Sequence, residues 1–382
     1  MKKLIFGFFL LITQNCFSYP QFIGFGYNTC ISCHYNPYGS GPLKDYGRAQ
    51  SATVISDRIL YPKEKTEDNI ALNSGFLYRP PFNDWFRPSL FYRGLGLERD
   101  LFEEEKKFRW INMQAEANLV FKFGKQDNFY GSFTFGYVPA PPNIPTGDEG
   151  KYWRWSEHYI GYRPVYEFGI YLGLMAKVFG VRIPDHVAYS RRATGNTQYD
   201  QTHGITFHYV KHRFEGGLQF FNGNLFQNEP LRPKGVTTKL EYEFNNKFKP
   251  GISVMVEKSD FLKSYIFALH SKNGYSKGSA TLLEAGIRGN EAVKIPKKEK
   301  LAYGLLQNFI YYKRGMFGIF GLEYLKPNLE KNLNLWKFDL GFQYFIIQGV
   351  EFRFDLYNNK TFQKGVPVND SWALLGQIHL WP

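Results

Sequence analysis

The chain has 382 residues, a formal net charge of +13 and three cysteines. Aromatic residues make up 19% of it, with 37 Phe, 27 Tyr and 37 Gly. That mix is unusual for a soluble enzyme and suits a barrel with an apolar outer face, a polar lumen and aromatic rims. The basic residues are scattered instead of clustered, which argues against a nucleic-acid partner, and no apolar run is long enough for a transmembrane helix.

Residues 1–18 read as a secretory signal peptide. Lys2 and Lys3 form the basic start, and Leu4 to Ile12 form an apolar core too short to span a bilayer. Cys16 and Ser18 are the small residues before a cleavage expected ahead of Tyr19. The mature chain then keeps two cysteines, Cys30 and Cys33.

Both lie in Cys30-Ile31-Ser32-Cys33-His34, the C-x-x-C-H attachment signature of a c-type haem. The spacing has a chemical basis. Two thiols reach the two porphyrin vinyl groups, and His34 is then close enough to bind the iron from one face. Zinc would call for a second C-x-x-C, which the sequence lacks, and a redox dithiol would sit in a βαβ context that is also missing. One covalent haem c is expected at Cys30 and Cys33, with His34 as an axial ligand.

The run Tyr35–Pro42 holds two prolines and two glycines, which predicts tight turns. Gly39 and Gly41 would let backbone pass close to a porphyrin, and an ordinary loop would read the same way. Leu43, Tyr46, Ala49 and Gln50 fall at helical spacing, so a short helix is expected within 43–59. Residues 62–68 read as a charged linker. Residues 19–84 together form the expected monohaem cytochrome c segment.

From residue 85 to residue 382 the pattern changes to strand alternation. Val350, Phe352, Phe354 and Leu356 share one face, while Glu351, Arg353 and Asp355 share the other. Val236–Phe244 and Trp336–Tyr344 repeat the pattern. About sixteen such segments occur, separated alternately by short turns and long loops. The fold class is therefore all-β, a transmembrane outer-membrane barrel of about sixteen strands with both termini in the periplasm. The long loops include 139–154, 179–201, 289–300 and 360–370. The end of the chain, with Leu374, Gly376, Ile378 and Leu380 on one face, reads as the last barrel strand.

The second iron ligand is open. His208, His270, Met175 and Met255 fall on the lumen face, and Met113 on the lipid face. His186 is preferred because it lies in the longest loop, which could fold into the lumen or stay exposed. Asp185 beside it could orient the imidazole, and Arg191 and Arg192 could offset haem propionates.

An exported C-x-x-C-H segment, with its Asn36-Pro37-x-Gly39-x-Gly41 run, followed by such a barrel resembles the fused monohaem c-type cytochrome–porin outer-membrane proteins. That group includes outer-membrane iron oxidases. The resemblance implies single-electron transfer across the outer membrane, as a conduit or as a metal (iron) oxidoreductase. The implied partners are periplasmic c-type cytochromes or other electron carriers on one side and an extracellular electron donor or acceptor on the other. For an electron conduit, the segment 19–84 must enter the barrel as a plug. Two other readings stand beside it: a porin-like solute channel plugged or gated by the haem segment, and a soluble periplasmic haem enzyme.

Overall fold

The computed structural model describes residues 19–381 except 82, 103–106, 125–127, 138–152, 184, 186–187 and 198–199. The expected signal peptide and His186 lie outside the described residues. Sixteen strands form one closed antiparallel barrel in which each strand pairs with its sequence neighbours and the first pairs with the last. They are β1 (Phe86–Arg99), β2 (Lys107–Phe123), β3 (Phe129–Tyr137), β4 (Trp153–Val165), β5 (Phe168–Met175), β6 (Thr202–Lys211), β7 (Phe214–Asn222) and β8 (Lys234–Tyr242). The second half is β9 (Phe248–Lys258), β10 (Leu262–Ser276), β11 (Ser279–Ala292), β12 (Lys298–Lys313), β13 (Met316–Lys326), β14 (Leu333–Ile347), β15 (Val350–Gln363) and β16 (Val366–Leu380).

Closure pairs every interior strand on both sides, the condition for crossing hydrocarbon without orphan backbone groups. The strand alternation sorts side chains as the sequence predicts, with apolar groups outside. Glu351, Arg353 and Asp355 are buried in the lumen while Phe354 is 54% exposed on the outer face. Exposed Leu340, Phe342, Ile252 and Leu172 continue that outer apolar band around the barrel.

Of the expected long loops, 360–370 is instead strand and 289–300 is shortened to residues 293–297. Residues 360–370 continue β15 and β16 to a two-residue turn, Lys364–Gly365, where both φ values are positive (51° and 83°). Positive φ at both central residues matches the right-handed twist of a tight hairpin. Likewise β11 runs on to Ala292 and β12 starts at Lys298. Beyond the bilayer a strand no longer needs an apolar face, so its alternation fades while its ladder continues.

Before the barrel, α1 (Gln21–Gly24), α2 (Asp45–Gln50) and α3 (Glu67–Leu72) are joined by turns, and α2 runs into a π-helical turn at Ser51–Ile55. The helix expected within 43–59 is thus present. The expected linker at 62–68 instead ends in α3, whose N-cap Thr66 accepts a bond from the Asn69 N–H.

Candidate functional site

Residues 19–81 occupy the lumen from the end that carries the short turns. Asn28 Nδ2 donates to the carbonyl of Asn246 at 2.6 Å, and the Asp57 N–H donates to the carbonyl of Phe345 at 2.8 Å. Ser32 Oγ lies 3.3 Å from Tyr166 Oη in the β4–β5 turn. Arg314 in the β12–β13 turn donates to the carbonyls of Ser56 and Ala52 and to Glu67. Short turns mark the periplasmic side of such barrels, so the segment enters from there. The wall leaves room for it: a side chain at Gly217 on β7 would strike the Tyr38 hydroxyl, which donates to the carbonyl of Phe207 at 3.0 Å.

The C-x-x-C-H run is a turn, with the N–H groups of Cys33 and His34 both directed to the Cys30 carbonyl (3.3 and 3.0 Å). Behind it, Lys44 N–H donates to the Cys33 carbonyl at 2.6 Å, and His34 bridges to Leu43. The intervening chain turns back through Gly39, Ser40 and Gly41, all with positive φ. Ser40, the one residue of the three with a Cβ, accepts the His34 Nδ1–H on its carbonyl at 3.0 Å. A carbonyl can only accept, so the neutral ring carries its lone pair on Nε2. Burial pulls His34 down to about 4, so the ring is neutral near pH 7. Glu157 on β4 holds the turn from the wall, accepting from Asn36 Nδ2 (3.2 Å) and Ser40 Oγ (3.3 Å).

The described part of the loop between β5 and β6 (176–183, 185, 188–197 and 200–201) folds into the lumen and is hooked to the wall. Its N–H groups at Val178, Gly180 and Val181 donate to Gln219 (3.1 Å), Ser253 (2.9 Å) and Glu284 (2.6 Å). Its α4 (Tyr189–Thr194) is held by Arg288, which donates to the Ala193 carbonyl at 3.1 Å. The loop and the segment share one apolar cluster: Ile23 of α1 packs with Val181, Ile183 and Ala188. Arg182 donates to the Gly39 carbonyl at 3.2 Å and lies 3.6 Å from Glu157.

Between segment, loop and wall lies a cavity of about 300 Å³ lined by Cys30, Cys33 and His34, within the usual range of small-molecule sites. Of the two arginines expected beside it, Arg191 lines the cavity and Arg192 does not. Arg192 is exposed because successive residues of α4 point to different sides. Burial pulls Arg191 down to about 10, still charged near pH 7, and its Nη1 donates to the Ile183 carbonyl at 2.6 Å. Asp185, expected to orient His186, is instead bonded to Lys337 at 2.9 Å. The four lumen-face ligand candidates are buried, but none lines the cavity. His208 has both ring nitrogens engaged, by Arg163 (2.6 Å) and Glu215 (3.0 Å). Met113 is half-buried at the β1–β2 bulge. The bulge shifts register there, which simple alternation cannot register. Among the described residues, no group of three or more His, Cys, Asp or Glu is arranged to hold a bare metal ion. Sequence reasoning missed Arg93, Arg182, Lys239, Lys272 and His379, which also line the cavity. As single polar residues in alternating strands or a loop they carry no separate signal.

No protein-family model matches the sequence, and no curated protein matches it. Solved outer-membrane barrels match its fold. OmpT of Vibrio cholerae superposes with a TM-score of 0.60 at 8% identity, over 78% of this chain and 99% of its own. The outer-membrane channel DcaP of Acinetobacter baumannii gives 0.59 at 12% identity, over 77% and 97%. An anion-selective porin from Comamonas acidovorans gives 0.58 at 7% identity, over 78% and 99%. These proteins are covered almost completely, and the fifth of this chain left over is about the size of the part that precedes β1. The chain has the fold of a sixteen-stranded outer-membrane porin barrel, and its apolar outer band places it in that membrane.

Proposed function

We propose that the protein is a porin-like barrel plugged by a segment that carries one covalent haem c. The observation that carries this reading is the cavity: both thiols of a C-x-x-C-H run and the histidine that follows them line one space inside the lumen. The residues present suit the group. Cys33 is buried and Cys30 half-buried, both as thiols. His34 is neutral, with its tautomer fixed by a backbone carbonyl, the arrangement that orients an imidazole toward a metal. Arg93, Arg182, Arg191, Lys239 and Lys272 give the lining a cationic edge fit for two propionates. Arg93 Nε, Asn28 Oδ1 and His379 Nε2 are buried there without hydrogen-bond partners, which points to an occupant.

When bound, the group supplies one-electron oxidation and reduction. The chain's own residues do the rest. Cys30 and Cys33 would fix its position, His34 would ligate it, and Val181, Arg182, Ile183 and Arg191 of the β5–β6 loop would line it from the other side. A plug packed into apolar clusters with the loop and the wall favours electrons over solutes as cargo. The partners on this reading are periplasmic electron carriers and an extracellular donor or acceptor, as in the cytochrome–porin fusions.

Haem staining after denaturing electrophoresis tests the cofactor. We expect a stained band for the protein made with c-type maturation and none for Cys30→Ser plus Cys33→Ser. An unstained wild-type band, or a stained double variant, overturns the proposal. Conductance separates the cargoes. In planar bilayers the full chain should stay near closed, whereas removal of residues 19–81 should open it. A steady porin-like conductance of the full chain would assign it to solute passage.

A further inference from the structure

One histidine besides His34 lines the cavity among the described residues. Among the described histidines and methionines, only His34 and His379 line the cavity. His379 lies on β16 with Arg93 of β1 on one side and Glu351 of β15 on the other. It is 5% exposed. Its Nδ1 lies 3.1 Å from Glu351 Oε2 and 3.2 Å from Tyr19 Oη, and Tyr19 Oη donates to the same carboxylate oxygen at 2.9 Å. Nδ1–H therefore donates to Glu351, and the lone pair falls on Nε2. That nitrogen is buried and has no hydrogen-bond partner.

A carboxylate behind one ring nitrogen with the other left bare is how proteins prepare an imidazole for a metal. The surroundings bring it to the thiols. Trp381 packs tilted against the His379 ring, 4.5 Å between centroids, and Trp381, Phe22 and Cys33 belong to one buried cluster with Phe91 packed on it. His270 also has an unpartnered nitrogen, but it lies outside the cavity lining.

We infer that His379 is the second axial ligand of the haem iron, with Glu351 and Tyr19 as its positioning residues. This rests on the haem reading above. Held by His34 and His379, the group would be low-spin, suited to electron transfer and closed to exogenous ligands.

The test uses the full-length holoprotein. Wild type should show a low-spin optical and electron paramagnetic resonance spectrum. His379→Ala should keep its haem stain, turn high-spin, and return to low spin with added imidazole. His379→Met keeps a side chain in the space and should shift the spectrum to a histidine–methionine type, which serves if the alanine variant does not form a heat-modifiable barrel. Stained variants with an unchanged low-spin spectrum overturn the assignment and leave the haem reading intact. A wild-type protein without stain overturns the haem reading itself. Glu351→Gln should lower the reduction potential's pull toward the oxidised form, seen as a positive shift with attachment retained; no shift removes Glu351 from its positioning role.

Discussion

The barrel wall and the segment inside it are held in different ways. Each wall strand is fixed by backbone ladders to two neighbours, and in lipid those bonds have no water to exchange with. The segment has no such ladder. It is held at separate points: Tyr19 at Glu351, Asn28 at Asn246, Asn36 at Glu157, and Glu67 at Arg314. The wall therefore tolerates any sequence with the right alternation, while the segment depends on particular residues. That contrast explains why barrels only 7–12% identical share this wall, and why the cavity is built from residues with no pattern.

The contrast can be broken most forcefully at the lipid face. Phe354→Arg puts a charge in the outer apolar band and should cost about 2–4 kcal/mol near its middle, measured by urea unfolding in detergent or lipid. A loss under about 1 kcal/mol would mean that this face does not meet hydrocarbon. The segment should yield without the wall at Gly47, where a new Cβ would come within 2.5 Å of the Cys33 Cβ. Gly47→Val should cost roughly 1–3 kcal/mol of local stability by overpacking. It should weaken the haem stain and increase proteolysis of residues 19–81, with heat modifiability of the barrel unchanged. The smallest effect should come from Glu67, whose bond to Arg314 holds its carboxyl below the ordinary value of about 4.5. A depressed folded value adds stability above about pH 4.5, and that stability is lost as pH falls through the lower folded value. The pair is partly exposed, so Glu67→Gln should cost only about 0.2–1 kcal/mol near pH 7. Protease sensitivity of residues 57–81 should rise slightly there and match wild type in acid.

The wall was legible in the sequence almost strand by strand, because each lipid-facing residue is constrained singly and the constraint repeats every second position. Legibility stopped where lipid stops. Lys360–Asp370 read as a loop because its outer positions include Asn369 and Lys364, although the ladder runs on. The Cys30–His34 motif was visible because its five residues are contiguous in the chain. His379 was not, because it is brought to Cys33 by barrel closure, not by sequence spacing. In β16 it reads as one more inward residue, like Gln377. The bulge opposite Arg93 and Gly94 breaks the alternation at Met113. The long loop's inward fold rests on Ser253, Glu284 and Gln219, three wall residues that no local pattern links to it.

The contact of Tyr19 with Glu351 and His379 has a consequence for assembly in time. Tyr19 is at the start of the described chain, and its partners lie on β15 and β16, made last. The first and last strands shut the seam beside it. The segment's anchor does not exist until the final strands arrive, and once they pair with β1 the lumen is enclosed around it. Docking of the segment's first described residue and closure of the wall thus draw on the same two strands.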